Sequence, residues 1–302
     1  LLLYNMGSGI LRAVGDSKRP LYFLLFSAVV NTVFDLLFVI VFHMGVDGVA
    51  YATILAQFLS ALLVLFVLTH DHTPYGIRWR DLRIGRAMLG RILAIGLPSG
   101  VQQAITSFSN VFVQSYINFF GSACMAGWSS YNKLDVFVLI PMQSVALALT
   151  TFVGQNCGAG RMDRARKGVR QALWMTLSVT AVLCVAIVAF ARPLNQLFTS
   201  DEAVLTHGVH FISIISPFYL ACCFNQIYAG ALRGAGDAKT PMFIMLFSFV
   251  LFRQAYLFIN RQLGNSFLGV TLAYPMGWVV CSVLMVFFYR RSLRRAQNAP
   301  SN

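Results

Sequence analysis

Runs of about twenty mostly apolar residues recur along the whole chain, and they limit what it can fold into. Each run is long enough to cross the roughly 30 Å hydrocarbon layer of a membrane as a helix. The composition agrees, because 58% of the 302 residues are hydrophobic and 11% are charged. A soluble domain is about half apolar and about a quarter charged. We therefore predict an all-α membrane protein with several crossings.

The hydropathy pattern predicts eight complete transmembrane helices and part of a ninth. The partial helix covers 1–11. The complete crossings cover 20–42, 48–69, 92–119, 123–152, 171–191, 208–232, 241–260 and 267–289.

The net charge of +13 follows this topology. Of the 23 Lys and Arg, 19 fall in alternate connections, whereas the opposite side holds Arg192 and Arg261. Basic residues concentrate on the cytoplasmic side of membrane proteins, so we expect that side, and the C-terminus with it, to be cytoplasmic. The charge is spread over five separate segments and no nucleic-acid-binding fold accompanies it, which argues against nucleic acid as a partner.

A segment near the start of the chain is repeated near its end. Gly9–Pro20 reads GILRAVGDSKRP and Gly230–Pro241 reads GALRGAGDAKTP, with an offset of 221 and seven of twelve positions identical. Both copies join two helices on the basic side, which predicts duplicated six-helix halves of parallel topology. Counting back by the offset places the start of the first half roughly 130 residues before Leu1 and predicts twelve crossings in the full protein.

The repeat predicts four segments. We expect 1–70 to be the remainder of an N-terminal lobe, with the end of its fourth helix and its fifth and sixth helices. A cytoplasmic basic linker at 71–91 precedes a C-terminal lobe at 92–290 with helices seven to twelve, and 291–302 is a cytoplasmic tail. The chain opens on a Leu within an apolar run with no charged leader, so we expect it to be N-terminally truncated.

One helix carries a pair of oxygen-bearing side chains that suits a cation. Asn31 and Asp35 are i,i+4 neighbours and share a helix face. Thr53 lies on the next, antiparallel helix at a similar depth, about 8–10 Å from the outer end. We predict that these three residues bind Na⁺ or a proton. The alternative is structural, with Asp35 protonated and bonded to Asn31 and the Thr53 hydroxyl returned to its own backbone.

The other charges predicted inside helices are Lys133, Asp135 and Arg253, and each is costly in lipid unless it is paired or hydrated. We interpret them as a relay or substrate contact, and an Arg253 to Asp135 pair is our hypothesis, with a structural clamp as the alternative. Polar side chains that could line a cavity for flat cationic compounds, or instead bond between helices, are Gln102, Gln103, Asn110 and Gln114, together with the aromatic Trp128 and Tyr131. Three glycine pairs predict close helix approach or turns: Gly96 and Gly100, Gly154 and Gly158, Gly230 and Gly234.

These motifs together resemble one transporter family. LRAVGDSKRP at 11–20 is followed by Asn31-x3-Asp35 and by Gly45-x2-Gly48-x3-Ala52-Thr53, and the later part contains GLPSG at 96–100 and VGQNCGAGR at 153–161. The chain resembles, over its whole length, the multidrug and toxic compound extrusion (MATE) family. The resemblance implies a two-lobed, V-shaped, twelve-helix antiporter that alternates between outward-open and inward-open states.

The resemblance also bears on the cation site. One branch of the family places its coupling cation at residues matching Asn31, Asp35 and Thr53, with a further aspartate on its first helix. Other branches carry acidic residues in the helices corresponding to 92–119 and 208–232, and this chain has none there. A cation site of that second type is therefore not expected.

The function expected from all this is secondary active export of small amphipathic or cationic compounds in exchange for Na⁺ or H⁺. We expect a monomer in the bacterial cytoplasmic membrane, surrounded by lipid and without a cofactor or a further metal site. A flippase for lipid-linked saccharides is the main alternative, and Lys133 and Arg253 keep it open. HExxH, GxSxG and Walker A motifs are missing from the sequence, which argues against an intramembrane enzyme and against ATP as the energy source.

Overall fold

The computed structural model describes residues 1–70, 76–78, 80, 83 and 85–298, with backbone alone for 292–298. Within these residues all regular structure is helical, which confirms the predicted all-α class. The helices are α1 (Leu2–Ala13), α2 (Lys18–Leu36), α3 (Gly45–His70), α4 (Arg86–Asn118), α5 (Ser122–Gly158), α6 (Met162–Ala189), α7 (Ala191–Gln196), α8 (Glu202–Ile215), α9 (Tyr219–Gly234), α10 (Lys239–Leu246), α11 (Arg253–Gln262) and α12 (Phe267–Asn298).

Seven segments of the described chain are long and apolar enough to cross a membrane. Two of them combine consecutive helices, since α8 continues into α9 and α10 into α11. The predicted crossing at 92–119 falls in α4, which has 33 residues but is not among the seven. Its amide and hydroxyl side chains lower its hydropathy, so the eighth crossing stays a prediction.

Several helix ends differ from the predicted ones by six residues or more. The crossing predicted to end at 152 continues as α5 to Gly158, and the next, predicted to start at 171, begins at Met162. The starts predicted at 92 and 208 lie at Arg86 and Glu202, and the end predicted at 289 lies at Asn298. The turn is confined to Ala159–Arg161, where Gly160 adopts a φ of +70°. The short helix α7 was not predicted.

The chain divides into two compact units, Leu1–Arg86 and Ala87–Asn302. The boundary falls within the segment 71–91 that the sequence assigns to a linker, of which 71–75, 79, 81, 82 and 84 lie outside the described residues. The predicted tail at 291–302 is described as helix backbone up to Asn298. The predicted basic side, linker and tail therefore stay predictions.

The first unit is built on the antiparallel pair α2 and α3. The Ser27 hydroxyl on α2 donates to the Ala56 carbonyl on α3 over 2.9 Å. Phe38 packs on Gly48, where a Cβ would come within 2.9 Å of the Phe38 Cβ. These two contacts fix the register of the helices that carry the predicted cation site.

The second unit is organised around α5. This helix packs on α6, α8 and α9, and α12 closes the unit against α9 and α11. Its core contains aromatic side chains from α5, α8, α9 and α12, including Trp128, Tyr131, Phe211, Tyr219 and Trp278. The functional side chains described below project from these helices.

The sequence repeat reappears as a repeated turn. Gly15 and Gly236 are equivalent at the offset of 221 and adopt φ values of +95° and +90°, a region that glycine enters at little cost. The carboxylate of Asp16 accepts from the backbone N–H of Arg19 at 3.2 Å, and that of Asp237 accepts from Thr240 at 3.0 Å. The two halves therefore share local backbone structure as well as sequence.

One of the three predicted glycine pairs lies at a close helix crossing. A Cβ at Gly230 would come within 2.7 Å of the Ala146 carbonyl oxygen, and one at Gly234 within 2.5 Å of the Thr150 carbonyl oxygen. Gly154 lies at the same crossing. Among the described residues nothing lies within 4 Å of a Cβ built at Gly96, Gly100 or Gly158, so close approach at those positions was a wrong prediction.

We expect Gly230→Ala to lower the apparent melting temperature of the full-length protein in detergent. The added methyl group meets backbone, and overpacking of this kind costs about 1–3 kcal/mol. Gly96→Ala is the matched control and should melt at or slightly above the wild-type temperature, since alanine favours a helix over glycine. Equal melting temperatures for both variants would contradict the close α5 and α9 crossing.

Candidate functional site

The two predicted cation-site residues on α2 each have a buried polar atom that lacks a hydrogen-bond partner in the described structure. Asn31 and Asp35 are half-buried. The Asn31 Nδ2 and Asp35 Oδ1 atoms are both buried, and neither has a hydrogen-bond partner among the described residues. Buried polar atoms are almost always paired, and leaving one unpaired costs on the order of 1–3 kcal/mol. The Asp35 oxygen is therefore suited to a cation or a proton, whereas the Asn31 nitrogen is a donor and requires an acceptor.

The Thr53 hydroxyl forms a hydrogen bond to the backbone of its own helix, as the structural alternative to a cation site predicts. Its hydroxyl donates to the Val49 carbonyl at 2.9 Å, and the side chain is exposed in this unit. The helix register places Thr53 level with Asn31, whereas Asp35 lies about one turn farther along α2. The hydroxyl proton is used, but the oxygen keeps lone pairs that can accept a cation or a donor.

Each of two charged helix residues adjoins a π-helical segment. Leu37–Val41 is π-helical and begins two residues after Asp35, while Phe247–Phe252 is π-helical and ends directly before Arg253. Such segments often occur at functional sites. Sequence analysis missed both, because LFVIV and FSFVLF contain no glycine or proline to signal them.

Arg253 is 3% exposed and has neutral hydrogen-bond partners. Its Nη2 donates to Ser109 Oγ and to Asn110 Oδ1, both at 2.8 Å. Its guanidinium lies over the Tyr274 ring, with Cζ 4.8 Å from the centroid. The arginine therefore ties α11 to α4 and α12.

Asp135 is bound by tyrosines. Its Oδ1 accepts from Tyr131 Oη at 3.1 Å and from Tyr219 Oη, while the two hydroxyl oxygens are 3.0 Å apart. The predicted Arg253 to Asp135 pair is wrong, since no ion pair joins these two residues in the described part of the chain and each has neutral partners instead. Tyr274 lies within electrostatic reach of both groups.

The cluster of Asp135, Tyr131 and Tyr219 has more contacts between oxygens than hydroxyl protons. Three oxygens form a triangle with three contacts of hydrogen-bond type, yet two hydroxyls supply two protons. A third proton on Asp135 would satisfy all three contacts. With Asp135 ionised, both tyrosine protons go to its Oδ1 and the third contact joins two hydroxyl oxygens; with Asp135 protonated, all three contacts can be hydrogen bonds.

Lys133 lies apart from this cluster, as its i,i+2 spacing from Asp135 predicts. The side chain is exposed, and its Nζ is 4.7 Å from the centroid of the Phe198 ring. It forms a cation–π contact rather than an ion pair in the part of the chain that the structure describes.

The predicted cavity-lining residues separate into two groups. Gln102 and Gln103 line a cavity of about 500 Å³ in the second unit. Asn110 instead binds Arg253, and Gln114 is exposed and outside the described lining of that cavity.

For Trp128 and Tyr131 the structure favours the second of the two alternatives, a role between helices. They are 5% and 4% exposed and belong to the aromatic core, where the Tyr131 hydroxyl lies 3.0 Å from that of Tyr219 on α9.

Other cavity-lining residues were not predicted. The rest of the polar wall comes from three helices: Thr106 on α4, Gln143 and Thr150 on α5, and Gln226 and Arg233 on α9. Gln143 is a single amide within an apolar run and Gln226 follows Asn225 within another, and polar residues in such runs are the signal that sequence reasoning could have used.

Comparison with known proteins places this chain in a family. The family model described as MatE matches residues 98–258, more than half of the chain. The chain belongs to the MATE family. The probable multidrug resistance protein YpnP of Bacillus subtilis is 30% identical over 294 residues, which cover 95% of this MATE chain and 64% of that relative.

A second relative differs in the substrate that its name states. The FAD transporter of Shewanella oneidensis is 23% identical over 297 residues, covering 96% of this chain and 65% of that protein. The MATE chain thus spans about two thirds of the length of the curated relatives it matches.

Solved structures support the same fold. An outward-facing multidrug resistance MATE transporter of the MOP superfamily superimposes with a TM-score of 0.91 at 22% identity, over 98% of this chain and 67% of that one. A MOP superfamily transporter from Pyrococcus furiosus, described as having a binding pocket of reverse polarity, gives a TM-score of 0.92 at 22% identity, over 98% and 67% of the two chains. At 22% sequence identity, these structural similarities show that the chains share a fold.

Double-mutant cycles on the full-length protein test the two alternative partners of Asp135. We expect Asp135→Asn and Tyr219→Phe to show a coupling energy of about 1–3 kcal/mol in unfolding, because they share a buried hydrogen bond. Asp135→Asn and Arg253→Gln should couple by less than about 0.5 kcal/mol, as expected for residues without a direct contact. The reverse order would restore the ion pair and exclude the tyrosine cluster.

Proposed function

We propose that this chain belongs to a secondary active antiporter that exports small amphipathic, drug-like compounds in exchange for Na⁺ or H⁺. Family membership and the multi-pass helical fold support this proposal. The relatives carry multidrug resistance and transporter names. The proposal includes an eight-crossing, two-lobed chain in the bacterial cytoplasmic membrane with a cytoplasmic C-terminus, which the alternation of basic residues supports.

The observation that supports cation coupling is the unpaired carboxylate oxygen of Asp35, one turn from the unpaired amide nitrogen of Asn31. A proton on Asp35 would turn its oxygen into a donor, and a Na⁺ ion would neutralise the carboxylate. Thr53 offers a further oxygen with its proton already engaged.

The proposed exchange of a cation for substrate follows from the change of charge at Asp35. The cation-loaded and cation-free forms of Asp35 differ by one charge inside a membrane helix, so each form favours a different packing of its neighbours. The π-helical segment after Leu36 is a place where α2 can change its hydrogen bonding. Loading from outside and release inside would then drive substrate outward.

The charged residues of the second unit have separate proposed roles. Asp135 with its two tyrosines serves as a proton relay, because its cluster can hold a third proton. Arg253 holds helices together through Ser109 and Asn110. Lys133 remains available for substrate contact, since it is exposed.

A flippase for lipid-linked saccharides remains the second candidate. The observation in its favour is the amide-lined cavity that holds Arg233 and no carboxylate among its described lining residues. Hydroxyl-rich and phosphate-bearing groups bind well to amides and guanidinium. Transport of a drug-like dye by the purified full-length protein separates the two functions.

Ethidium efflux from cells that express the full-length protein tests coupling. We expect Asp35→Asn to slow efflux at least about tenfold, since a neutral amide cannot exchange a cation. Asp47→Asn is the control, because Asp47 is exposed at the start of α3 and should leave efflux unchanged. Wild-type efflux in Asp35→Asn would remove the proposed coupling role.

A further inference from the structure

The cavity of about 500 Å³ in the second unit has a wall rich in hydrogen-bond donors. Its polar lining comprises four glutamines, two threonines and one arginine, and the described lining contains no carboxylate: Gln102, Gln103, Thr106, Gln143, Thr150, Gln226 and Arg233. A volume of this size suits a drug-sized molecule. The remaining walls are apolar, with Ala146, Leu147, Met245 and Phe249.

Several of these polar groups lack a good partner. The buried Thr106 Oγ1 has no hydrogen-bond partner among the described residues. Gln102 Nε2 donates to the Met245 sulfur at 2.7 Å, and a thioether is a weak acceptor. An oxygen-bearing ligand would offer both groups a stronger bond than they now have.

Arg233 sets the charge of the cavity. Its Nε–H donates to the Ala229 carbonyl at 3.2 Å. The other guanidinium N–H groups have no hydrogen-bond partner in the described part of the chain. A guanidinium that is half-buried and not neutralised by a carboxylate attracts an anion and repels a cation.

We propose that this cavity binds flat organic anions rich in hydrogen-bond acceptors, such as aromatic carboxylates, in preference to cations, which it binds more weakly. The inference deepens the proposed function, on which it rests, by naming a substrate class for an exporter. It reverses the cationic preference expected from the sequence. The amides hold acceptor groups, Phe249 and Met245 contact the flat ring system, and Arg233 pairs with the carboxylate.

A different role for Arg233 is that of a topological anchor in the repeated turn. Its equivalent at the offset of 221 is Arg12, which follows the same Leu and precedes the same Gly-Asp turn. Arg12 lies in the first unit, outside the cavity. If both arginines only anchor the turn, Arg12→Gln and Arg233→Gln should have the same effect on ligand binding. If Arg233 binds the ligand, only Arg233→Gln should weaken binding.

The test measures binding of two xanthene dyes of opposite charge by fluorescence anisotropy, with the purified full-length protein in lipid nanodiscs. We expect fluorescein, an anion, to bind at least about tenfold more tightly than the cation tetramethylrhodamine methyl ester, since a bond to a charged group contributes about 1.5–3 kcal/mol. Arg233→Gln should weaken fluorescein binding at least about tenfold. Arg12→Gln should leave it unchanged.

Two more variants test the anion site even if Arg233→Gln does not fold. Gln226→Leu should weaken fluorescein binding by about three- to tenfold through loss of one neutral hydrogen bond, and it stands in for Arg233→Gln if that variant does not fold. Arg233→Lys should retain part of the anion preference. Tighter binding of the cation, no binding of fluorescein, or equal effects of Arg12→Gln and Arg233→Gln would overturn the proposal.

Failure of this inference is distinguishable from failure of the proposed function. Anisotropy of the wild type and of Arg233→Gln measures binding without an ion gradient and without a change at Asp35. Normal ethidium efflux with no fluorescein binding would overturn the anion site and leave the exporter in place. Fluorescein binding with unchanged efflux in Asp35→Asn would leave the anion site and remove the coupling role.

Discussion

A polar group in a membrane helix has to find a partner, and the rest of this structure depends on how each group does so. Thr53 returns its hydroxyl to its own backbone. Asp135 and Arg253 find neutral partners on neighbouring helices. Asn31 and Asp35 each leave a buried atom unpaired in the described structure, and the Asp35 oxygen is the one carboxylate oxygen among the buried atoms without a partner there.

The two halves share backbone structure at the repeated turn and differ in the positions of their charged residues. The repeated turn has the same conformation at Gly15 and Gly236. At the same offset Asp35 is replaced by Tyr256 and Thr53 by Tyr274, which contacts the guanidinium of Arg253. The first half thus holds a carboxylate where the second half holds a tyrosine, and the second half holds Arg253 nearby in the repeat. This difference supports the proposal that cation coupling resides in the first half.

Sequence alone predicted the helical class, the approximate span of each apolar helix and the family, because all three follow from patterns longer than ten residues. It predicted that Asn31 and Asp35 share a face, since that depends on helix geometry. It failed at Arg253 and Asp135, because the partners of Arg253, and Tyr219 as a partner of Asp135, lie more than eighty positions away in the sequence. The amides at 143 and 226 stand in apolar runs and could have been noted as polar exceptions, but the cavity that they line forms between helices and could not be predicted from either run.

Infrared difference spectroscopy on the full-length protein in lipid measures the central claim directly, because a protonated carboxyl has its own carbonyl stretching band. The account predicts a band that changes with pH or Na⁺ and that disappears in Asp35→Asn but persists in Asp47→Asn. A spectrum in which no carboxyl band depends on Asp35 under any of these conditions would contradict it.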